Sequence, residues 1–275
     1  MRRRTRGRLL PAPPAGSSGW DAITLSYSVD APLTALLPRA RLARYSALFS
    51  FLWRVRRCEA ALGALWSAAQ GTSGCVSACG HARLARLLHS AAIARMHMGH
   101  FVACLSAYLW LGVLAPAWAR LEAAVGAAGD MDALCDAHAA YLRDLDARAL
   151  WQEEAVVGGS GARADSPAQA AVEGALSAIL RFAAVVARLL TASEPLALEA
   201  VAMGLRCDTE PAEVPAREVR AALASQLDTL VSAASTQVGE ATAAFQARLD
   251  VALAAFEELE PRLEELGAFE ALRRK

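Results

Sequence analysis

Apolar residues recur at three- and four-residue steps from Leu42 through Tyr45, Leu48, Phe49, Leu52, Val55, Leu62 and Leu65 to Trp66. That spacing keeps them on one face of a helix and predicts one over about residues 39–69, with Gly71-Thr72-Ser73-Gly74 as its stop. A second long helix is expected from about His81 to Ala115, continuing past a kink at Pro116 to Val125. Gly129 breaks it, and Asp130 is placed to cap a third helix, to about Val156, that carries Leu134, His138, Tyr141, Leu142 and Leu145. Ser166-Pro167-Ala168-Gln169 reads as a capping box with proline at the first helical position, opening a fourth helix to about Leu190. Pro195, Pro211 and Pro215 predict turns over 191–215, and a last long helix follows over about 216–258.

Before the first helix, Ile23, Leu25, Tyr27 and Val29 alternate with polar positions, a short extended segment, and Pro32 opens a brief helical turn to Leu37. The expected fold is therefore all-α: a bundle of about five long helices joined by short turns and preceded by an extended lead-in. Residues 1–19, rich in Arg and then in Pro, Gly and Ser, read as a disordered basic tail. The helical domain is expected over 20–263 and a C-terminal tail over 264–275. The facing stripes predict burial of Tyr45, Phe49, Leu52, Leu62, Trp66, Phe101, Leu105, Tyr108, Leu134 and Tyr141.

Composition reinforces the helical reading. Of the 275 residues 65 are alanine, the strongest helix former, and β-branched residues are scarce. The hydrophobic fraction of 55% allows a real core and excludes disorder over most of the chain. Twenty-eight basic residues balance 28 acidic ones, which excludes a polycation built for nucleic acid and an acidic tail protein. Met1-Arg2-Arg3-Arg4 is followed by Leu9-Leu10-Pro11, which is no secretory apolar core, so the six cysteines are expected to be reduced. The acid-free start resembles a short organellar transit peptide, although a flexible basic tail or a misplaced start codon fits it better.

Catalytic signatures are missing. No GxGxxG, GxSxG or HExxH occurs, and the single lysine is Lys275, so a P-loop lysine is excluded. The nearest approach to a metal site is Cys75-x3-Cys79-x-His81, with His89, His97 and His100 further along; loop thiols and helix-packing histidines are the competing reading. Cys104 with His100, and Cys135 with His138, stand one helical turn apart as nucleophile–base pairs, against which burial disfavours a thiolate. Met96 to Ala119 carries no Asp, Glu, Lys or Arg and is long enough to span a bilayer. Its His97, His100 and Pro116, and the charges in its flanks, favour a buried core helix. Arg54, Arg56 and Arg57 sit near Trp53 and Trp66: they brace neighbouring helices, or form a protein-binding face, or contact nucleic acid.

Read as strings, these segments resemble one family. Leu25-x-Tyr27-x-Val29-x2-Pro32-Leu33, then Tyr45-x2-Leu48-Phe49-x-Phe51-Leu52-x-Arg54-x2-Arg57-x-Glu59-x2-Leu62-x3-Trp66, are similar to the C-terminal domain of γ-tubulin complex components. His100-Phe101 with Tyr108, Trp118, Asp130-Met131-Asp132 and Ala137-His138-x2-Tyr141-Leu142 continue the likeness. Gly19-Trp20-Asp21 and Glu260-Pro261-Arg262-Leu263 resemble component 3 in particular. The likeness covers about 19–156 well and 165–263 loosely; the family's N-terminal domain and the first part of its C-terminal domain have no counterpart here. The resemblance implies a helical, non-catalytic scaffold in microtubule nucleation, without cofactor or metal. It also implies γ-tubulin and other γ-tubulin complex components as partners, with neither nucleic acid nor membrane, and a place in the cytoplasm at the cytoskeleton, a microtubule-organising centre or a spindle pole. Arg54, Arg56 and Arg57 are the residues expected to contribute to partner binding.

Overall fold

A computed structural model describes Trp20, residues 23, 25, 27–31, 33–148, 167–210 and 213–259. The described residues form helices and no strand. After a lead-in without regular structure over 27–30, the order is α1 (Leu33–Leu36), α2 (Arg39–Cys79), α3 (Ala82–Ala107), a π segment (Tyr108–Leu114), α4 (Ala115–Ala127), α5 (Met131–Arg148), α6 (Pro167–Ala202) and α7 (Val214–Leu259). The all-α bundle is thus the observed fold, and the described residues of the lead-in form no regular element. The expected tails over 1–19 and 264–275, the end of the third helix near Val156 and the capping role of Ser166 lie outside the described residues.

Two helix ends differ from the sequence expectation. The first helix does not stop at Gly71–Gly74 but runs to Cys79. Glycine costs about 1 kcal/mol against alanine in a helix interior, and burial of Thr72, Val76 and Cys79 offsets it. The stop is Gly80, at φ 68°, where a side chain would be strained. The fourth helix likewise passes Leu190 and continues through Pro195 to Ala202. Proline removes one rung of the backbone ladder, but Leu189 and Leu190 before it and Ala197 and Ala200 after it are all buried on one face. This helix ends in a Schellman turn: Leu205 N–H donates to Ala200 O at 2.9 Å, Gly204 N–H donates to Val201 O at 3.0 Å, and Gly204 takes φ 66°. At Pro116 the kink takes a specific form. The seven residues before α4 wind as a π-helix, and Ala115 N–H reaches back five residues to Trp110 O. At the start of α5 Asp130 caps as expected, its Oδ1 accepting from Ala133 N–H at 2.7 Å.

The main core joins α2, α3, the π segment, α6 and α7, with Leu142 and Leu145 of α5 at its margin. Phe101 and Phe182 are fully buried, and Phe101 meets Phe245 of α7 edge-on with ring centroids 5.7 Å apart. A second cluster fills one end of the bundle, where Val76 and Cys79 of α2 and Leu84 of α3 meet Leu189 and Ala197 of α6 and Leu227 of α7. Two stretches, 82–127 and 169–202, are long and apolar enough by length and composition to cross a membrane. In both, one face is core: Met98, Phe101, Leu105 and Leu109 in the first, and Val172, Leu176, Ile179 and Phe182 in the second.

The predicted core holds in part. Leu62, Phe101, Leu105 and Tyr108 are buried, and Tyr45, Leu52 and Tyr141 pack half-buried against the core. Phe49 and Leu134 are of intermediate exposure. Trp66 contradicts the expectation, at 47% exposed. The stripe positions that are buried nearby are Leu62 and Leu65, and Trp66, next in sequence to Leu65, points off the stripe.

Candidate partner-binding surfaces

The three arginines singled out in the sequence lie on α2 and are not equivalent. Arg54 reaches across to α6, its guanidinium 3.3 Å from Glu173 Oε2. Arg56 pairs with Glu59 one turn on, at 2.6 Å, and lies over the ring of Trp110 in the π segment, 5.8 Å from its centroid. Arg57 flanks Cys58, and its charge opposes the burial that pushes that thiol up to about 12. A second cation–π contact continues the α2–α3 seam, with Arg95 of α3 4.7 Å from the ring of Trp66. Trp110, Trp66, Ile93 and Met96 are all exposed, and Leu111 is 71% exposed. The seam thus displays arginine and tryptophan held by each other in fixed orientations, the residue types that anchor protein interfaces.

A second surface was not singled out from the sequence as a site. A largely apolar cavity of about 680 Å³ opens between the lead-in, α2, α4 and α5, with Leu25, Tyr27, Leu42, Trp118, Leu134 and His138 in its wall. Behind it Tyr45 Oη lies 2.9 Å from His138 Nε2, and the guanidinium of Arg41 lies 3.4 Å from His138 Nδ1. His138 and Tyr141 have ring centroids 6.3 Å apart, and Trp118 meets Tyr141 edge-on at 6.4 Å. Burial first, and the Arg41 charge second, hold the imidazole below its usual pKa. Burial, aided by Tyr141, pushes the Tyr45 phenol up to about 12. The imidazole and the Tyr45 phenol are therefore uncharged near pH 7, beside the charged Arg41 guanidinium. The signal that could have found it lies in the sequence: Tyr27, Tyr45, Trp118, His138 and Tyr141 belong to four separated stretches of the family resemblance, and they meet here.

The metal candidates are dispersed. Cys75 donates to Thr72 O at 3.0 Å, and Cys79 sits beside Cys207. His81 caps α3, its Nδ1 accepting from Leu84 N–H at 3.1 Å. His89 and His100 are exposed. Among the described residues, no three His, Cys, Asp or Glu side chains converge to hold an ion. Cys104 Sγ lies 3.7 Å from His100 Nδ1, but burial raises the thiol pKa, the opposite of what a nucleophile needs. Cys135 has no claim on His138, whose two ring nitrogens face Tyr45 and Arg41.

Long helices bearing exposed aromatic and arginine side chains define an all-α helical-bundle protein. The sequence profile described as Gamma tubulin complex component C-terminal matches residues 4–269, and the chain belongs to that family. It is 33% identical over 138 residues to spindle pole body component 98 of Dictyostelium discoideum, which covers 50% of this chain and 16% of that protein. It is 32% identical over 147 residues to the γ-tubulin complex component 3 homolog of Xenopus laevis, covering 54% and 16%. Over 158 residues it is 32% identical to human γ-tubulin complex component 3, again covering 54% and 16%. Within the family the chain is most like component 3. It spans about a sixth of the length of these relatives.

Proposed function

We propose that this chain holds γ-tubulin within a microtubule-nucleating γ-tubulin complex, as a scaffold with no chemistry of its own. The observation that carries this reading is the family match over 4–269, together with relatives named as γ-tubulin complex and spindle pole body components. On this reading its partners are γ-tubulin and other components of the complex, and it resides in the cytoplasm at the cytoskeleton, at a microtubule-organising centre or spindle pole. The α2–α3 seam supplies suitable anchors, half-exposed tryptophans with arginines stacked on their rings. Arg56, stacked on Trp110, would serve that contact, with Arg57 beside it and Arg54 on the α6 side of the same helix adding positive charge that would meet an acidic surface.

The test combines γ-tubulin pull-down with thermal melting for the chain and for the Arg56→Glu/Arg57→Glu variant. The proposal expects lost binding with an unchanged melt. Retained binding would remove Arg56 and Arg57 from the interface. Failure of the unmodified chain and of a longer form carrying it to retain γ-tubulin would remove the function itself.

A further inference from the structure

The end of α2 and the turn between α6 and α7 are docked backbone to backbone. Cys207 N–H donates to Cys79 O at 2.8 Å. Gly80 makes the approach possible, since a Cβ there would lie 2.7 Å from the Asp208 carboxylate. That carboxylate is held by both Nε and an Nη of Arg206, at 2.9 and 2.6 Å, and Arg220 donates to Cys207 O at 3.2 Å. Within this frame Cys79 Sγ lies 3.6 Å from Cys207 Sγ, both thiols free. One hydrogen bond between the two backbones keeps the Cα atoms within about 7 Å by bond-length reach, inside the span a disulfide bridges. To form the bond the sulfurs must close from 3.6 Å to about 2.05 Å.

We propose that Cys79 and Cys207 are an oxidisable thiol pair, converted by a peroxide to a disulfide that clamps the end of α2 to the α6–α7 turn. Cys207, on the turn and half-buried, is the sulfur the oxidant reaches; Cys79 is fully buried. The Cys207 thiolate attacks the peroxide, forming an S–O bond and breaking O–O. The released hydroxide takes a proton and leaves as water, and Cys207 becomes a sulfenic acid. Cys79 sulfur then attacks Cys207 sulfur, forming S–S and breaking S–O, and its proton leaves with the hydroxide as a second water. Two thiols and one peroxide give one disulfide and two waters. The order of attack agrees with the environment, because burial first, then the bond to Cys207, pushes the Cys79 thiol up to about 12. Three of the four other cysteines have different partners: Cys58 Sγ donates to Leu176 O, Cys75 to Thr72 O, and Cys104 faces His100.

The experiment treats the reduced, folded chain with one equivalent of hydrogen peroxide and maps its peptides without reduction. The expected result is loss of two of the six free thiols, a single Cys79–Cys207 cross-link that dithiothreitol reverses, and a melt raised by roughly 5 °C or more. Cys79→Ser should stop the reaction at a Cys207 sulfenic acid that dimedone traps. Cys207→Ser should abolish the intramolecular cross-link. An intact set of six thiols, a Cys75–Cys207 bond, or a cross-link between two chains would overturn the proposal. The unmodified chain alone decides between these outcomes if either variant fails to fold.

Discussion

The Tyr45 hydroxyl and His138 Nε2 lie 2.9 Å apart across 93 residues of chain, and this bond ties α2 to α5. Tyr45→Phe removes one partner and leaves a buried ring nitrogen, in a side chain 6% exposed, without it. The expected cost is about 1–2 kcal/mol in urea unfolding. A loss under about 0.3 kcal/mol would mean that water replaces the hydroxyl fully.

The same histidine gives stability a pH dependence of known sign. Its folded pKa is lowered by burial and by Arg41, so below about 6.5 the unfolded chain binds more protons than the folded one. This contribution is complete above that pH and is lost as pH falls through the window down to the folded pKa. Melting curves between pH 7.5 and 5 should show a decline that His138→Gln flattens. An equal decline in the variant would assign it to other groups.

Core and surface aromatics should separate widely. Phe101→Ala, at a fully buried site, should cost about 3–5 kcal/mol. Trp66→Ala should cost about 1 kcal/mol or less, because it forfeits chiefly the contact with Arg95. Equal losses in chemical denaturation would contradict the exposure of Trp66.

Gly80 and Gly204 share a left-handed conformation but differ in their surroundings. Gly204→Ala meets nothing within 4 Å and should lose only the conformational term, about 1–2 kcal/mol. Gly80→Ala must in addition displace the Asp208 carboxylate from its pairing with Arg206, and should lose measurably more. Comparing the two melts with the wild-type curve checks this order.

The number and type of helices were legible because a 3.6-residue apolar period survives an alanine-rich background, as Leu62, Phe101 and Leu105 show. The ends were less so. Gly71 and Pro195 are local breakers, whereas the burial of Val76 and Ala200 that overrides them comes from helices far away in sequence. Trp66 was misplaced because a large apolar residue adjoining the stripe was read as part of it. The cavity wall around His138 could not be read from spacing, since its residues come from the lead-in and four helices, and only the fold brings them together. The arginines were visible as a cluster, but their separate partners, Glu173 for Arg54 and Trp110 for Arg56, were not.

The π segment turns one rod into two. Each residue in a π turn sweeps a smaller angle than in an α turn, so the apolar stripe of α3 leaves the segment out of phase. Upstream, Phe101 and Leu105 face the main core; downstream, Trp118 meets Tyr141, and Arg120 pairs with Asp144, both on α5. The wider winding thus acts as a coupling between two gears cut at different angles. Winding the same seven residues as ordinary α-helix would leave the upstream teeth engaged and swing Trp118 out of mesh with α5, whereas deleting one residue from 108–114 would restore ordinary winding with Trp118 still close to its place.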